Sequence, residues 1–159
     1  MVVRAPFRPQ PNERRAGRCG GPRRKNSYSR PKKSRPATAL VVDDEWLIRW
    51  SIAEKLRDGG FQVVLASDGT EAIQHFRWGG VADVIVVDPV FPNVTELDFH
   101  LIARLRALAP SARLVVMTAG VSPELDSAAR SEGADCVVDK PFDMNDLLNA
   151  IRGTELPVR

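Results

Sequence analysis

Residues 38–60 read TALVVDDEWLIRWSIAEKLRDGG, and this stretch decides the fold. Thr38–Val42 is a short apolar run of the kind that forms a buried parallel strand. From Trp46 to about Asp58, Ile48, Ile52 and Leu56 recur every fourth residue, which is the spacing of one helix face. Gly59-Gly60 then stops the helix as a C-terminal cap does. The same unit repeats toward the C-terminus. Phe61–Ala66 reads as a second strand and Asp68–Arg77 as a second helix, with Ala72, Ile73 and Phe76 apolar and Gly79-Gly80 behind them. Val84–Val87 is an uninterrupted Val/Ile strand, and a third helix is predicted from about Thr95 to Leu108, before Pro110. Leu114–Met117 is a fourth strand, after which Ser122 as N-cap and Pro123 at the first helical position open a fourth helix. Cys136–Val138 is a fifth strand, and Asp143 caps a last helix through about Ile151. Five strand–helix repeats predict an α/β fold, a doubly wound five-stranded parallel sheet covered on both faces. The expected strand order is 2-1-3-4-5, with the second strand at the edge.

Upstream of this region the composition changes abruptly. Residues 1–37 carry twelve Lys/Arg against one acid, Glu13, whereas residues 38–159 carry eleven Lys/Arg against nineteen Asp/Glu. The first segment is rich in Arg, Pro, Gly and Ser with scattered apolar residues, too few to offset the entropy of ordering, so it is predicted to be a disordered basic tail. The reading is therefore a tail over 1–37, one folded domain over 38–152 and a short tail over 153–159. The plainer expectation is a solvated extension or a start codon assigned too far upstream; the functional one is an electrostatic arm for nucleic acid, an acidic partner or an anionic membrane surface. No helix-turn-helix follows the domain and no basic aromatic sheet strengthens that idea. The chain has no run near the roughly 18 apolar residues that span a bilayer, and no apolar stretch of a secretory signal follows the basic start. Cys19 and Cys136 are too few and too badly placed for a disulfide framework or a metal cluster, and the expected location is a reducing cytoplasm.

In a doubly wound sheet, ligands bind beyond the carboxyl ends of the strands. Asp43 and Asp44 follow the first strand, Asp88 the third, Thr118 the fourth and Lys140, followed by Pro141, the fifth. Singly, each has a plain reading: Asp43 and Asp44 as helix caps, Asp88 as the start of a turn before Pro89, Lys140 as a surface charge. Their joint occurrence at successive strand ends argues for a site. Three neighbouring carboxylates repel unless a cation joins them. Their hard oxygens, with no His or Cys alongside, suit Mg²⁺. An aspartate there can attack a phosphoryl group, with Lys140 neutralising the transferred oxygens and Thr118 bonding one of them. His75 and His100 fall on helices away from this end and are expected to be ordinary solvated or partly packed residues.

These residues resemble a known family. Residues 38–152 are similar to the receiver domain of bacterial two-component response regulators, through Val41-Val42-Asp43-Asp44-Glu45, Val86-Val87-Asp88 with Pro92 four residues on, Met117-Thr118-Ala119 and Lys140-Pro141-Phe142. The resemblance implies that Asp88 is the phosphoacceptor in a phosphorelay. It implies that Asp44 binds Mg²⁺ directly, Asp43 largely through water, and that Asp88 and the backbone carbonyl of Val90 complete the protein ligands. Thr118 follows the phosphoryl group and Lys140 pairs with it. The implied donor is a phosphohistidine on a sensor histidine kinase or histidine phosphotransfer protein, which meets the first helix. That helix buries Ile48, Ile52 and Leu56, turns Ser51, Glu54 and Lys55 outward, and sets Trp46 and Trp50 at its margin as candidate anchors.

Three positions depart from the family pattern. Thr95-Glu96 stands where an Asp/Asn-Gly pair is common, Pro89 after the phosphoacceptor has no N–H to offer a phosphoryl oxygen, and Val137 replaces an aromatic ring that couples to the threonine. No output module is expected after Arg152, since only Gly153 to Arg159 remain, so the chain reads as a stand-alone receiver that docks or relays rather than as an enzyme, beyond any autodephosphorylation. A degenerate receiver binding partners without phosphorylation is the rival reading, and a nucleic-acid binder using its basic tail a weaker one. An aspartyl-phosphate phosphatase would want an acid two residues after the nucleophile, where Val90 stands, and neither GxxxxGK[ST] nor GxGxxG occurs for a nucleotide.

Overall fold

Strands buried on both faces read as continuous Val/Ile/Leu runs, and this sequence has them because helices cover both sides of its sheet. The structure is a computed structural model that describes residues 35–91 and 97–153. The elements alternate throughout: β1 Thr38–Val42, α1 Trp46–Asp58, β2 Gln62–Ala66, α2 Gly69–Arg77, β3 Val84–Val87, α3 Phe99–Leu108, β4 Arg113–Ala119, α4 Pro123–Ser131, β5 Cys136–Lys140 and α5 Met144–Arg152. All pairings are parallel and the strand order is β2-β1-β3-β4-β5, as predicted.

Alternation along each strand divides the core. Leu40, Val42, Ile85, Val87, Leu114, Val116 and Val137 face α2, α3 and α4. Ala39, Val41, Val84, Val86, Met117 and Val138 face α1 and α5, where Ile52, Leu56, Leu147 and Ile151 close over them. This parity decides which strand-end residues meet. Asp43, Asp88 and Lys140 continue the α1/α5 side, whereas Thr118 and Asp139 continue the other.

Several boundaries differ from the sequence expectation. β4 runs from Arg113 to Ala119 and β5 from Cys136 to Lys140, so Thr118 and Lys140 are ladder residues rather than loop residues, paired as Thr118 with Asp139 and Ala119 with Lys140. Apolarity marked only the buried middle of each strand, while hydrogen bonding continues past it. α3 begins at Phe99 instead of near Thr95, because the Asp98 carboxylate accepts from Leu101 N at 3.0 Å and sets the N-cap there. β2 starts at Gln62, one residue after Phe61. The Ser122 cap, Pro123 at the helix start and the Asp143 cap stand where the sequence put them. Residues 1–34, with Cys19, and residues 154–159, the last six of the predicted C-terminal tail, lie outside the described residues, as do Pro92 and Thr95-Glu96. Among the described residues no helix is long and apolar enough to cross a membrane.

Candidate functional site

β1 and β3 are neighbours, and both deliver an aspartate to the same edge. Asp88 N donates to the Val42 carbonyl at 2.8 Å, which carries the β1–β3 ladder one step past the last strand pair and fixes Asp88 beside Asp43. β5 brings Lys140 across from the far side of the sheet. Its Nζ lies 2.7 Å from Asp88 Oδ2 and 3.0 Å from Asp43 Oδ2, so one ammonium bridges both carboxylates. The side chains of Asp43, Asp88 and Lys140 are 0%, 12% and 16% exposed, which places the bridge out of bulk water and strengthens it.

The remaining oxygens are held by backbone. Asp43 Oδ1 accepts from Glu45 N at 2.8 Å, and Asp88 Oδ1 accepts from Val90 N at 2.8 Å. The second bond answers part of the question raised by Pro89. The proline has no N–H, but the next amide already addresses the carboxylate, and the Pro89 carbonyl accepts from Asp98 N at 3.0 Å. Burial raises the Asp43 carboxyl above its ordinary value, against the bond and charge of Lys140 that pull it down. For Lys140, burial works to lower its pKa, but the bonds to Asp88 and Asp43 and their charges outweigh it, and the ammonium is held above the ordinary lysine value.

The structure therefore joins the side chains of Asp43, Asp88 and Lys140 and ties Val90 to Asp88 through its N–H, leaving Thr118 and Asp44 of the six expected site residues. Thr118 is 3% exposed at the same end of the sheet, two ladder steps before Gly120 and on the face opposite Lys140. Asp44 is exposed at the mouth, beside the buried Asp43. Among the described residues no group of three His, Cys, Asp or Glu side chains is arranged to hold a metal ion. Asp43 and Asp88 share the Lys140 ammonium, while Asp44 beside them is exposed. The donor types still fit a hard divalent cation. Asp43 and Asp88 each retain lone pairs beyond their present bonds, Asp44 faces solvent, and Mg²⁺ needs only one or two carboxylates because it keeps most of its water.

Two further side chains at this end are not marked by the strand-end pattern. Arg49 on α1 folds back and donates from Nη1 to the Asp43 carbonyl. Asp139, exposed on β5, accepts at Oδ1 from Gly120 N at 2.9 Å and from Val121 N at 3.3 Å. An arginine three residues into a helix after an acidic pair is a local signal for the first. The second joins residues 18 and 19 apart and has no local signal.

A second feature lies on the α1 side of Lys140. Leu47, Ile48 and Ser51 of α1 face Pro141, Phe142 and Met144 across an apolar groove of about 500 Å³. Beside it Trp46, Leu47 and Trp50 are 64%, 56% and 53% exposed, so the tryptophans stand free of the core rather than covering its edge. His75 and His100 lie on α2 and α3, away from the acid–lysine bridge. His75 Nε2 is 3.1 Å from the Val81 carbonyl and its ring packs over Gly80.

Fold and site together define a doubly wound α/β domain with two aspartates tied to one lysine at the carboxyl edge of its sheet. Residues 39–152 match the response regulator receiver domain family, and the chain belongs to that family. It is 34% identical over 117 residues to the transcriptional regulatory protein PdtaR of Mycobacterium tuberculosis, covering 73% of this chain and 55% of that protein. It is 31% identical over 116 residues to the sensory transduction protein RegX3 of Mycolicibacterium smegmatis, covering 72% and 49%. The chain thus spans about half the length of the curated relatives it matches. Among solved structures, a response regulator of Burkholderia pseudomallei with a phosphorylated aspartic acid, calcium ion and citrate aligns with TM-score 0.65 and 30% identity, over 72% of this chain and 66% of that one. The chemotaxis protein CheY4 of Vibrio cholerae aligns with TM-score 0.66 and 28% identity, over 76% and 99%.

Proposed function

We propose that residues 38–152 accept a phosphoryl group on Asp88 from a phosphohistidine and pass the signal on in a phosphorelay. The observation that carries this reading is the Lys140 bridge: a positive charge from β5 is fixed against the carboxylate that would be modified. In the transfer, the bond between phosphorus and the donor imidazole breaks as one between phosphorus and an Asp88 oxygen forms. Lys140 neutralises charge on the transferred oxygens. The Thr118 hydroxyl donates to one of them. Asp44, Asp88 and the Val90 carbonyl, with Asp43 through water, would hold Mg²⁺, which when bound adds positive charge to the same oxygens. The protein signals rather than turns over a substrate, apart from slow loss of its own phosphoryl group.

The donor is a sensor histidine kinase or histidine phosphotransfer protein. The groove between α1 and the residues after β5, flanked by Trp46, Leu47 and Trp50, is the surface offered to it, since it opens beside Lys140 and is apolar enough to bury against a helical bundle.

The test is intact mass after incubation with acetyl phosphate and Mg²⁺. One added phosphoryl group is expected, absent without Mg²⁺ and absent in Asp88→Ala. A folded wild type that gains no mass would favour the rival, a receiver that binds partners without being phosphorylated.

A further inference from the structure

The loop after β4 lies between two anions. The strand order β3-β4-β5 puts Asp88 on one side of it and Asp139 on the other. On the Asp88 side stands the carboxylate bridged by Lys140. On the other, Asp139 Oδ1 takes the successive amides of Gly120 and Val121, at 2.9 and 3.3 Å. Gly120 has φ +71°, and this left-handed residue is what turns two neighbouring N–H groups toward one acceptor. Successive amides in such a turn form a concave anion site, here filled by a side chain of the same protein. The loop leads directly into α4, whose cap Ser122 accepts from Leu125 N at 3.2 Å.

We infer that Asp139 is a positioning residue for phosphoryl acceptance, a latch that holds the Gly120–Val121 amides on the β5 side and opposes movement of Thr118 toward Asp88. The inference rests on Asp88 as phosphoacceptor. A phosphoryl group there draws the Thr118 hydroxyl toward β3, and Thr118 is two residues from Gly120 in a continuous strand and turn. Motion toward β3 is motion away from β5, so the two charge-assisted contacts to Asp139 lengthen as the new ones form. The position of the loop is then a competition between two anions, and removing one favours the other. A side chain that merely stabilised the fold would not have this signature.

The experiment uses the full chain as wild type, Asp139→Ala and Asp139→Asn. Each is titrated with beryllofluoride, a phosphoryl mimic, in the presence of Mg²⁺ and followed by amide resonances. Asp139→Ala is expected to bind roughly three- to tenfold more tightly, the scale of losing exposed charge-assisted hydrogen bonds. Asp139→Asn keeps an oxygen acceptor without the charge and falls between the two. Without the mimic, the Gly120 and Val121 amides exchange with solvent faster in Asp139→Ala than in wild type. Unchanged or weaker binding by the alanine variant, with wild type binding normally, overturns the latch alone. A folded wild type that takes up no beryllofluoride overturns the Asp88 reading and the latch with it.

Discussion

The Lys140 ammonium lies 2.7 Å from Asp88 Oδ2 and 3.0 Å from Asp43 Oδ2, so a single cation from β5 satisfies buried carboxylates from β1 and β3. Lys140→Ala leaves two acids facing each other without the ammonium that bridges them. Breaking one side of a buried ion pair costs about 3 kcal/mol, and urea unfolding at neutral pH is expected to show a loss of that order. The pH dependence has a definite sign. Lys140 titrates above its ordinary value of 10.5 in the folded protein, so its contribution is fully present below pH 10.5. It disappears as the pH rises through the higher folded value. The gap in stability between wild type and Lys140→Ala should narrow on that alkaline side and nowhere near neutrality.

The same substitution should strengthen Mg²⁺ binding. Lys140 occupies Asp43 Oδ2 and Asp88 Oδ2, the oxygens a divalent cation would also draw on. Removing the ammonium raises the negative charge of the site, so Mg²⁺ titration is expected to give a lower Kd for Lys140→Ala even as phosphorylation fails. A weaker Kd would mean that lysine and metal do not share this site.

Asp44 and Asp43 should separate by exposure. Asp43 is fully buried and bonded to Lys140 and Glu45 N, so Asp43→Ala is expected to lower the melting temperature clearly. Asp44 faces solvent, and Asp44→Ala should change stability by no more than about 0.5 kcal/mol while weakening Mg²⁺. An unchanged Mg²⁺ affinity in Asp44→Ala would remove it from the metal site.

Much of this was legible in the sequence for local reasons. Uninterrupted apolar runs such as Val84–Val87 announce strands buried on both faces, and strand-end polarity alone places Asp43, Asp88 and Lys140 at one edge. Strand alternation then decides the rest: it sends Lys140 to the α1/α5 side with the two acids and Asp139 to the other, where it meets the β4–α4 turn. That last contact depends on the register between β4 and β5, which apolar patterning alone did not fix because the strands outrun their apolar centres. That Lys140 bridges both acids at once also depends on reach, not on residue type.

Arg106 illustrates a long-range device that no periodicity reveals. It donates to the Gly133 carbonyl from Nε at 2.9 Å, to the Ala112 carbonyl at 2.8 Å and to Asp135 Oδ2 at 2.6 Å, tying α3 to the starts of β4 and β5. Gly133 has φ +110°, and a Cβ there would stand 2.7 Å from Arg106 Cγ, so both backbone and space demand glycine. Arg106→Ala is expected to cost about 2 kcal/mol in chemical unfolding. For Asp135, burial works to raise its pKa, but the Leu114 N–H and Arg106 outweigh it and hold it below 3.8. Its contribution is present above pH 3.8 and lost as the pH falls through the lower folded value, so Arg106→Ala should flatten that acid limb.

Val137 is expected to limit the reach of a switch driven by phosphorylation of Asp88. It is 8% exposed and packs on the α2–α3–α4 side with Val116 and Ala129, where a ring would couple to Thr118 by turning inward. A short β-branched side chain with restricted χ1 is expected to transmit little displacement. A phosphoryl group shifts a conformational equilibrium only by its differential affinity for the two states. With no ring to reorient, that difference acts through the backbone turn at Gly120 and Val121. Beryllofluoride is therefore expected to move the amide shifts of Thr118–Ser122, Val90 and Asp139 strongly, fading along α4 and α5. Val137→Tyr tests the enclosure independently: the site is closed, so the larger side chain should cost about 1–3 kcal/mol of stability by overpacking. If large shifts instead spread evenly across residues 122–151 in wild type, Val137 does not limit the switch, and coupling must run through the packed face of α4 itself.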